Sequence, residues 1–433
     1  MIESAEAGSG YPHGHLGHLT TEQELALAGF KLLCKEKGYY EPLSPSSSAS
    51  HDDATLLRFL RARRFEIASA VEQFIADVDW RKLNSVCEIY ETIDLQHYEE
   101  ARRIYPQWTG RCDRRGIPVY LFEVKHLTSQ TMADYENSSK KTSTTAQTDN
   151  KTSSKILRLF ALYENLTRFT MPLCTTATDR PYPDTPITQS SNIVDISGLG
   201  LRQFWNLREH MLNASTLATA HYPETLDRIF IIGAPSFFPT VWSWIKKWFD
   251  VNTTSKIFII GAAETQQTLE GFIEPQNLPK KYGGELEFHY GDLPKLHANM
   301  EENISWEGDY SSFPGGPMYW VENDETLVAY AAGSSSGAVR NGKICTIRKT
   351  VKTQSEKTTH LGNSLSTARS KAYMDAKEIA SLSSEKALLA TSNDETCDLK
   401  LLATKPEIEI PDLVMPDVLK NNITSGEISN KQQ

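Results

Sequence analysis

The stretch His221-Tyr222-Pro223-Glu224-Thr225-Leu226-Asp227-Arg228-Ile229-Phe230-Ile231-Ile232-Gly233-Ala234-Pro235 carries the end of a helical pattern into an apolar strand. The run Arg228 to Gly233 is rich in β-branched and aromatic residues, and similar runs stand at Asn192 to Ile196 and Lys256 to Gly261. Strands so continuously apolar predict burial on both faces of a sheet. Upstream, I-P-V-Y-L-F-E-V from Ile117 to Val124 follows a D-R-R-G turn and reads as a further strand. Helical spacing fills the intervals Ile156 to Phe169, Gln203 to Tyr222 and Phe238 to Phe249. Strands alternating with helices predict an α/β domain.

Before Tyr105 the pattern is helical throughout. Thr20 caps a helix that runs to Cys34, with Gln23 and Glu24 in its first turn. Asp52 to Arg64 and Ile67 to Trp80 repeat apolar residues three and four apart, placing Leu56, Phe59 and Leu60 on one face. The expected organisation is a helical module over 15–105 followed by an α/β domain over 106–295. Two polar stretches, Ser129 to Ser154 and Thr175 to Ser191, read as surface insertions. T-L-V-A-Y-A-A and I-C-T-I-R-K-T-V, within 300–350, predict a small hairpin appendage, and 351–433 is polar enough to read as a solvated tail.

Charge and composition exclude several classes of function. A net charge of -10 on 433 residues argues against DNA or RNA as the main partner, because neutralising phosphates takes a basic face. Six cysteines lie far apart without zinc-like spacing and read as free thiols of a reducing compartment. The first residues lack a basic segment followed by an apolar one, and no stretch approaches 18 uninterrupted apolar residues, so neither a signal peptide nor a membrane span is expected. G-S-S-S-G from Gly333 to Gly337 lacks the strand and helix of a nucleophile elbow. Gly337 to Lys343 is followed by Ile344 where a phosphate loop needs a hydroxyl. His13, His15 and His18 lack an acidic or Cys partner and read as a flexible leader, so no metal, cofactor or catalytic residue is expected.

Several motifs in order resemble the CRAL-TRIO lipid-binding family and, within it, the fungal phosphatidylinositol-transfer proteins. They are L-L-R-F-L-R-A-R-R-F-E (Leu56 to Glu66) with Trp80-Arg81-Lys82, Tyr105 to Gln107 with Gly116 to Tyr120, and Ile193-Val194-Asp195. H-Y-P-E-T-L-D-R-I-F-I-I-G-A-P, F-D-V-N-T-T-S-K-I-F-I-I-G (Phe249 to Gly261) and N-L-P-K-K-Y-G-G (Asn277 to Gly284) complete the set. The resemblance implies a mixed sheet floor, helical walls and an apolar pocket for a bound lipid, closed by a gate helix. It implies headgroup contacts at Arg63, Arg64, Glu224, Thr253 and Lys256, a lining that includes Phe230, Ile232, Phe258 and Ile260, and a non-enzymatic exchange of phospholipid.

The implied gate is P-T-V-W-S-W-I-K-K-W-F, in which Val241, Trp244, Ile245 and Trp248 form one apolar stripe beside Lys246 and Lys247. For a second lipid of the choline type the family pattern is incomplete. Tyr120 and Ser190 match it, whereas Thr109 stands for a tyrosine and Asn192 for a threonine. Losing one ring of an aromatic cage costs about 0.5–2 kcal/mol, so another hydrophobe is expected as counter-ligand. The implied partners are phosphatidylinositol and, transiently, the cytosolic surface of Golgi or endosomal membranes. The alternatives are a carrier of a sterol, tocopherol-like molecule or haem, and a scaffold that recruits a lipid-modifying enzyme.

Overall fold

Local capping starts the first three helices. In the computed structural model, which describes residues 10–349 apart from 45–46, 149–150, 247–250 and 324, Thr20 and Gln23 form a reciprocal capping box at the head of α1, Thr21–Glu36. Asp52 accepts from the Thr55 amide to open α2, Asp53–Ala62, and Glu66 caps α3, Ile67–Leu83. Their apolar faces meet around Phe30, Phe59 and Phe74, whose rings contact edge to face at 5.2 to 5.5 Å. Two short helices, α4 (Val86–Thr92) and α5 (Leu95–Arg102), complete the module.

The main sheet has five strands in sequence order. β1 (Gln107–Cys112) and β2 (Pro118–Glu123) form an antiparallel hairpin. At its turn Gly116 has φ +84°, and a Cβ there would sit 2.5 Å from the Arg180 side chain. β3 (Ser190–Asp195), β4 (Leu226–Ile232) and β5 (Ile257–Ile260) add in parallel. Between β2 and β3 the chain forms α6 (Ser129–Ser139), α7 (Ser154–Asn165), a π-helical turn (Leu166–Thr170) and α8 (Met171–Thr175). The later crossovers are α9 (Leu201–His221), then α10 (Phe238–Ile245) and α11 (Val251–Ser255), and α12 (Thr265–Phe272) follows β5.

Four expectations need correction. Ser129 to Ser154 is no simple surface insertion: its first half is α6, and the buried Arg158 guanidinium ties it down through Thr142 (2.7 Å), the Ser138 carbonyl (2.8 Å) and Glu100 (3.2 Å). Thr175 to Ser191 is only partly at the surface: residues 178–179 and 181–184 are exposed, whereas Arg180, Thr185, Ile187 and Gln189 are buried, and Arg180 holds the segment through the carbonyls of Ala177, Tyr182 and Pro183. The leader is packed as well: Tyr11 and His15 are buried, and Arg180 donates to the Tyr11 hydroxyl at 2.8 Å.

The hairpin appendage is a four-stranded antiparallel sheet that comes after a short helix, α13 (Ala298–Glu301). β6 (Ile304–Trp306), β7 (Met318–Glu322), β8 (Thr326–Ala331) and β11 (Lys343–Arg348) form it in the order β6-β11-β8-β7. β9 (Ser334–Ser335) and β10 (Ala338–Val339) make a separate two-stranded hairpin. One face of this sheet packs on the α/β domain: Phe169 stacks on Trp320 at 5.8 Å and meets Phe313 at 4.8 Å. The expected tail over 351–433 lies outside the described residues.

A buried polar network binds the helical module to the α/β domain. Arg81 of α3 pairs with Glu164 of α7 at 2.7 Å, and the hydroxyl of Tyr222, just past α9, donates to the same carboxylate at 2.5 Å. Burial opposes ionisation of Glu164, but Arg81 and the Tyr222 hydrogen bond prevail and hold its carboxyl below the usual range. Beside it His221 meets Asp77 at 2.9 Å. Removing one partner of such a pair leaves an uncompensated buried charge. Glu164→Ala is therefore expected to lower the free energy of unfolding by about 3–5 kcal/mol in denaturant titration, against less than about 1 kcal/mol for exposed Lys280→Ala.

Candidate functional site

Glu224 and Lys256 come from loops feeding adjacent strands, and the parallel pairing of β4 with β5 brings them to one corner of the sheet. Glu224 adopts φ +56°. Its carboxylate accepts from Lys256 Nζ at 3.0 Å, and the same ammonium donates to the Leu226 carbonyl at 2.9 Å. Both side chains are largely but not fully buried, at 17% and 13% exposure, so an arriving ligand can still reach them. Lys256 is not the first residue of a strand, as the sequence suggested; it is the turn between α11 and β5, and its amide bonds the Thr253 carbonyl at 3.1 Å. Thr253 is thus held one turn before Lys256.

Arg63 and Arg64 are exposed at the end of α2, where Arg64 turns the chain at φ +52°. The arginine drawn toward Glu224 is Arg61, two residues earlier in the same motif. Burial lowers Arg61 to about 10, with the Glu224 carboxylate acting in the opposite sense. Its Nη2 donates to Thr188 Oγ1 at 3.3 Å, while Nε and Nη1 are inaccessible to solvent and without a hydrogen-bond partner among the described residues. Sequence reasoning passed over it, although the three-residue spacing from Arg58 to Arg61 placed both on the inward side of α2.

Tyr120 and Asn192 are register partners on β2 and β3, and Asn192 Nδ2 donates to Ser190 Oγ at 3.0 Å. These three candidates are brought together. The Tyr120 hydroxyl donates to Thr170 in the π-helical turn at 3.2 Å. Thr109 is buried, its hydroxyl donating to the Val119 carbonyl at 3.0 Å. Its neighbour Trp108 is the cross-strand partner of Tyr120, so the ring on this face is an indole that the sequence reading missed. Alternation along β1 was the signal that could have found it.

The same alternation overturns the expected pocket lining. Leu121, Ile193, Phe230 and Phe258 share one row across the sheet, while Tyr120, Asn192, Ile229 and Ile257 form a row on the other face. Phe230, Ile232, Phe258 and Ile260 therefore point away from Tyr120 and Asn192. They pack in a core with Leu269, Ile273 and Leu278, and Phe230 has no accessible surface, which leaves no room for even a water beside it. Phe230, Phe258 and Phe272 fill that space with ring centroids 5.2 to 5.8 Å apart. The face that can border a lipid carries Phe122, Val194, Ile229, Ile231 and Ile257, opposed by helices α7, α9 and α10.

Of the gate candidates, Val241 is buried in that interface and Trp244 and Ile245 lie within α10. The side chains of those two are not described, and Trp248 falls outside the described residues. Trp242, not singled out from sequence, stacks on Phe238 at 6.2 Å. No helix among the described residues is long and apolar enough to cross a membrane.

Residues 103–284 match the CRAL/TRIO domain and residues 26–76 the CRAL/TRIO N-terminal domain. The chain is 31% identical over 296 residues to a CRAL-TRIO domain-containing protein of Saccharomyces cerevisiae, an overlap covering 65% of this chain and 86% of that one. It is 31% identical over 285 residues to the SEC14 cytosolic factor of Eremothecium gossypii, covering 65% and 82%. A similar segment, 30% identical over 237 residues, occurs in a phosphatidylinositol/phosphatidylcholine transfer protein of Arabidopsis thaliana, covering 54% of this chain and 37% of that one. The chain belongs to the CRAL-TRIO family, and its relatives include proteins named for phospholipid transfer.

The packed leader makes the protein acid-sensitive. Burial, reinforced by Arg61, pulls His15 from its ordinary 6.5 down to about 3. Unfolded chain then binds a proton that folded chain rejects below pH 6.5, so stability is full above that pH and is lost progressively as pH falls toward 3. The melting temperature should decline across this window, and His15→Gln should flatten the decline; an unchanged slope would show that His15 does not titrate as described.

Proposed function

We propose that this chain binds phosphatidylinositol and carries or presents it at cytosolic membrane surfaces, making and breaking no covalent bond. The observation that carries this reading is the Glu224–Lys256 pair, a cation and an acceptor 3.0 Å apart beside Thr253 at one corner of the sheet. An inositol phosphate needs both at once. The arriving phosphate replaces the Glu224 carboxylate on Lys256, and Glu224 turns to accept from ring hydroxyls. Each charge-assisted hydrogen bond of this kind is worth about 1.5–3 kcal/mol. Arg63 and Arg64, exposed at the end of α2, supply further positive charge to the phosphate.

The acyl chains set the demand for a protected interior. At about 0.8 kcal/mol per buried methylene, two chains of roughly 30 methylenes in total forfeit on the order of 20 kcal/mol in water. The face bearing Phe122, Val194, Ile229 and Ile257 is apolar enough to receive them, and Ile259, 45% exposed on the edge strand, marks where that face is open. A gate at α10, docking at a Golgi or endosomal surface, closes over the chains. Tyr120, Ser190, Asn192 and Trp108 surround the head of the second lipid.

Lys256→Ala is expected to reduce phosphatidylinositol transfer between labelled vesicles by roughly tenfold to a hundredfold while leaving the fold intact. Undiminished transfer by that variant sinks the assignment. Lipid extraction from the wild-type chain purified from a eukaryotic host should return phosphatidylinositol; a sterol or haem in its place supports the carrier of another hydrophobe.

A further inference from the structure

A cleft of about 580 Å³ lies where three parts of the chain meet: α5, the loop at Gly291, and the turns of the second sheet. It is remote in sequence from every headgroup candidate. Three arginines line it, Arg102, Arg103 and Arg340, with Glu99 as the one acidic residue. In a chain of net charge -10 this is a local reversal of sign.

The hydrogen bonds show how much of that charge is already engaged. Glu99 is occupied by Arg102 Nε at 2.7 Å and by the Gly316 amide at 2.8 Å. Arg102 directs its two terminal nitrogens to the carbonyls of Asp292 and Gly291, at 2.9 and 3.0 Å, which positions the guanidinium without neutralising it further. Arg340 donates to the Gly315 carbonyl at 3.1 Å and forms no ion pair among the described residues. Arg103 is exposed and likewise unpaired among the described residues. One carboxylate thus faces three guanidinium groups, and two positive charges remain uncompensated around one cavity.

The cradle of Arg340 is built into the backbone. Pro314-Gly315-Gly316-Pro317 passes beneath it, and a Cβ on Gly316, which has φ +98°, would lie 2.3 Å from Arg340 Nη1. G-S-S-S-G, which has no place in a catalytic mechanism, forms the β9–β10 hairpin, and through it Ser335 presents an exposed hydroxyl at the cleft. The Arg340 amide bonds the Gly333 carbonyl at 2.7 Å and closes the hairpin.

We propose that this cleft is an anion site for a phosphorylated group, a phosphate monoester or diphosphate, distinct from the Glu224–Lys256 corner. A phosphate monoester carries about 1.5 to 2 negative charges at neutral pH, matching the two uncompensated guanidinium groups, and its oxygens suit their planar forks. The cavity is within the roughly 300–1,000 Å³ range of small-ligand sites. An occupant bridging Arg103 and Arg340 ties the helical module to the second sheet, so binding stabilises the chain as a whole. The phosphorylated group belongs either to a free small molecule or to an acidic lipid headgroup.

The test uses the full chain and sodium pyrophosphate as probe, with thermal melting as readout. A saturable rise in melting temperature is expected, and Arg103→Ala and Arg340→Gln should each weaken the apparent affinity by roughly tenfold. Because Arg103 is exposed, its variant is expected to melt like the wild type without pyrophosphate, which separates lost binding from lost folding. Lys256→Ala should keep the part of the response that depends on Arg103 and Arg340, so failure here and failure of the phosphatidylinositol reading are distinguishable. Sedimentation with phosphatidylcholine vesicles, with and without phosphatidic acid, identifies the source. Arg103-dependent binding to the acidic vesicles assigns a lipid headgroup, and pyrophosphate binding without vesicle binding assigns a free phosphate. No saturable rise, or a rise retained in the double variant, overturns the proposal.

Discussion

Glu164 cannot be buried unless its charge is answered, and the answer comes from two different places in the chain. Arg81 arrives from the helical module and Tyr222 from the end of α9, so one carboxylate in the last turn of α7 obliges three segments to meet. Gln73 extends the contact by donating to the carbonyls of Thr219 and Ala220, both at 3.0 Å. This latch places the end of α9 against α3, and residues 223–225 follow directly into β4. Glu224 therefore follows two residues after Tyr222, whose hydroxyl is tied to the buried Arg81–Glu164 pair.

The sheet adds a constraint of another kind. Because side chains alternate between faces, register alone divides its residues into two populations with different fates. One face carries Val119, Leu121, Ile193 and Phe230 and is sealed by residues 269–288, with Lys281 anchoring that cover to Glu123 and Asp195 at 2.7 Å each. The other face carries Tyr120, Phe122, Asn192 and Val194 and looks toward α7, α9 and α10. The first face is filled by its cover, and the second is the one flanked by helices. The large aromatic residues nearest the diagnostic motif belong to the solid side, which is why reading them as lining was attractive and mistaken.

Polar segments mislead in the same way. Thr175 to Ser191 and the leader around His15 lack an apolar period, yet parts of both are buried because their polar atoms find partners in Arg180, in Tyr11 and in backbone carbonyls. The second sheet shows the complementary case: its strands acquire a cover from Phe169 and Trp108 of the preceding domain. Burial in each case is a property of what the segment meets.

The sequence by itself determined the α/β class, the helical module with its caps, the family, and the pairing of Glu224 with Lys256 as candidates, because these depend on local spacing and on motifs kept within short windows. Tertiary structure alone decided which residues share each face of the sheet, that Arg61 feels the Glu224 carboxylate, that Trp108 stands across from Tyr120, and that Arg103 and Arg340 line one cleft. Those facts require strand register and contacts between residues far apart in the chain, and neither composition nor periodicity encodes which distant groups satisfy a buried charge.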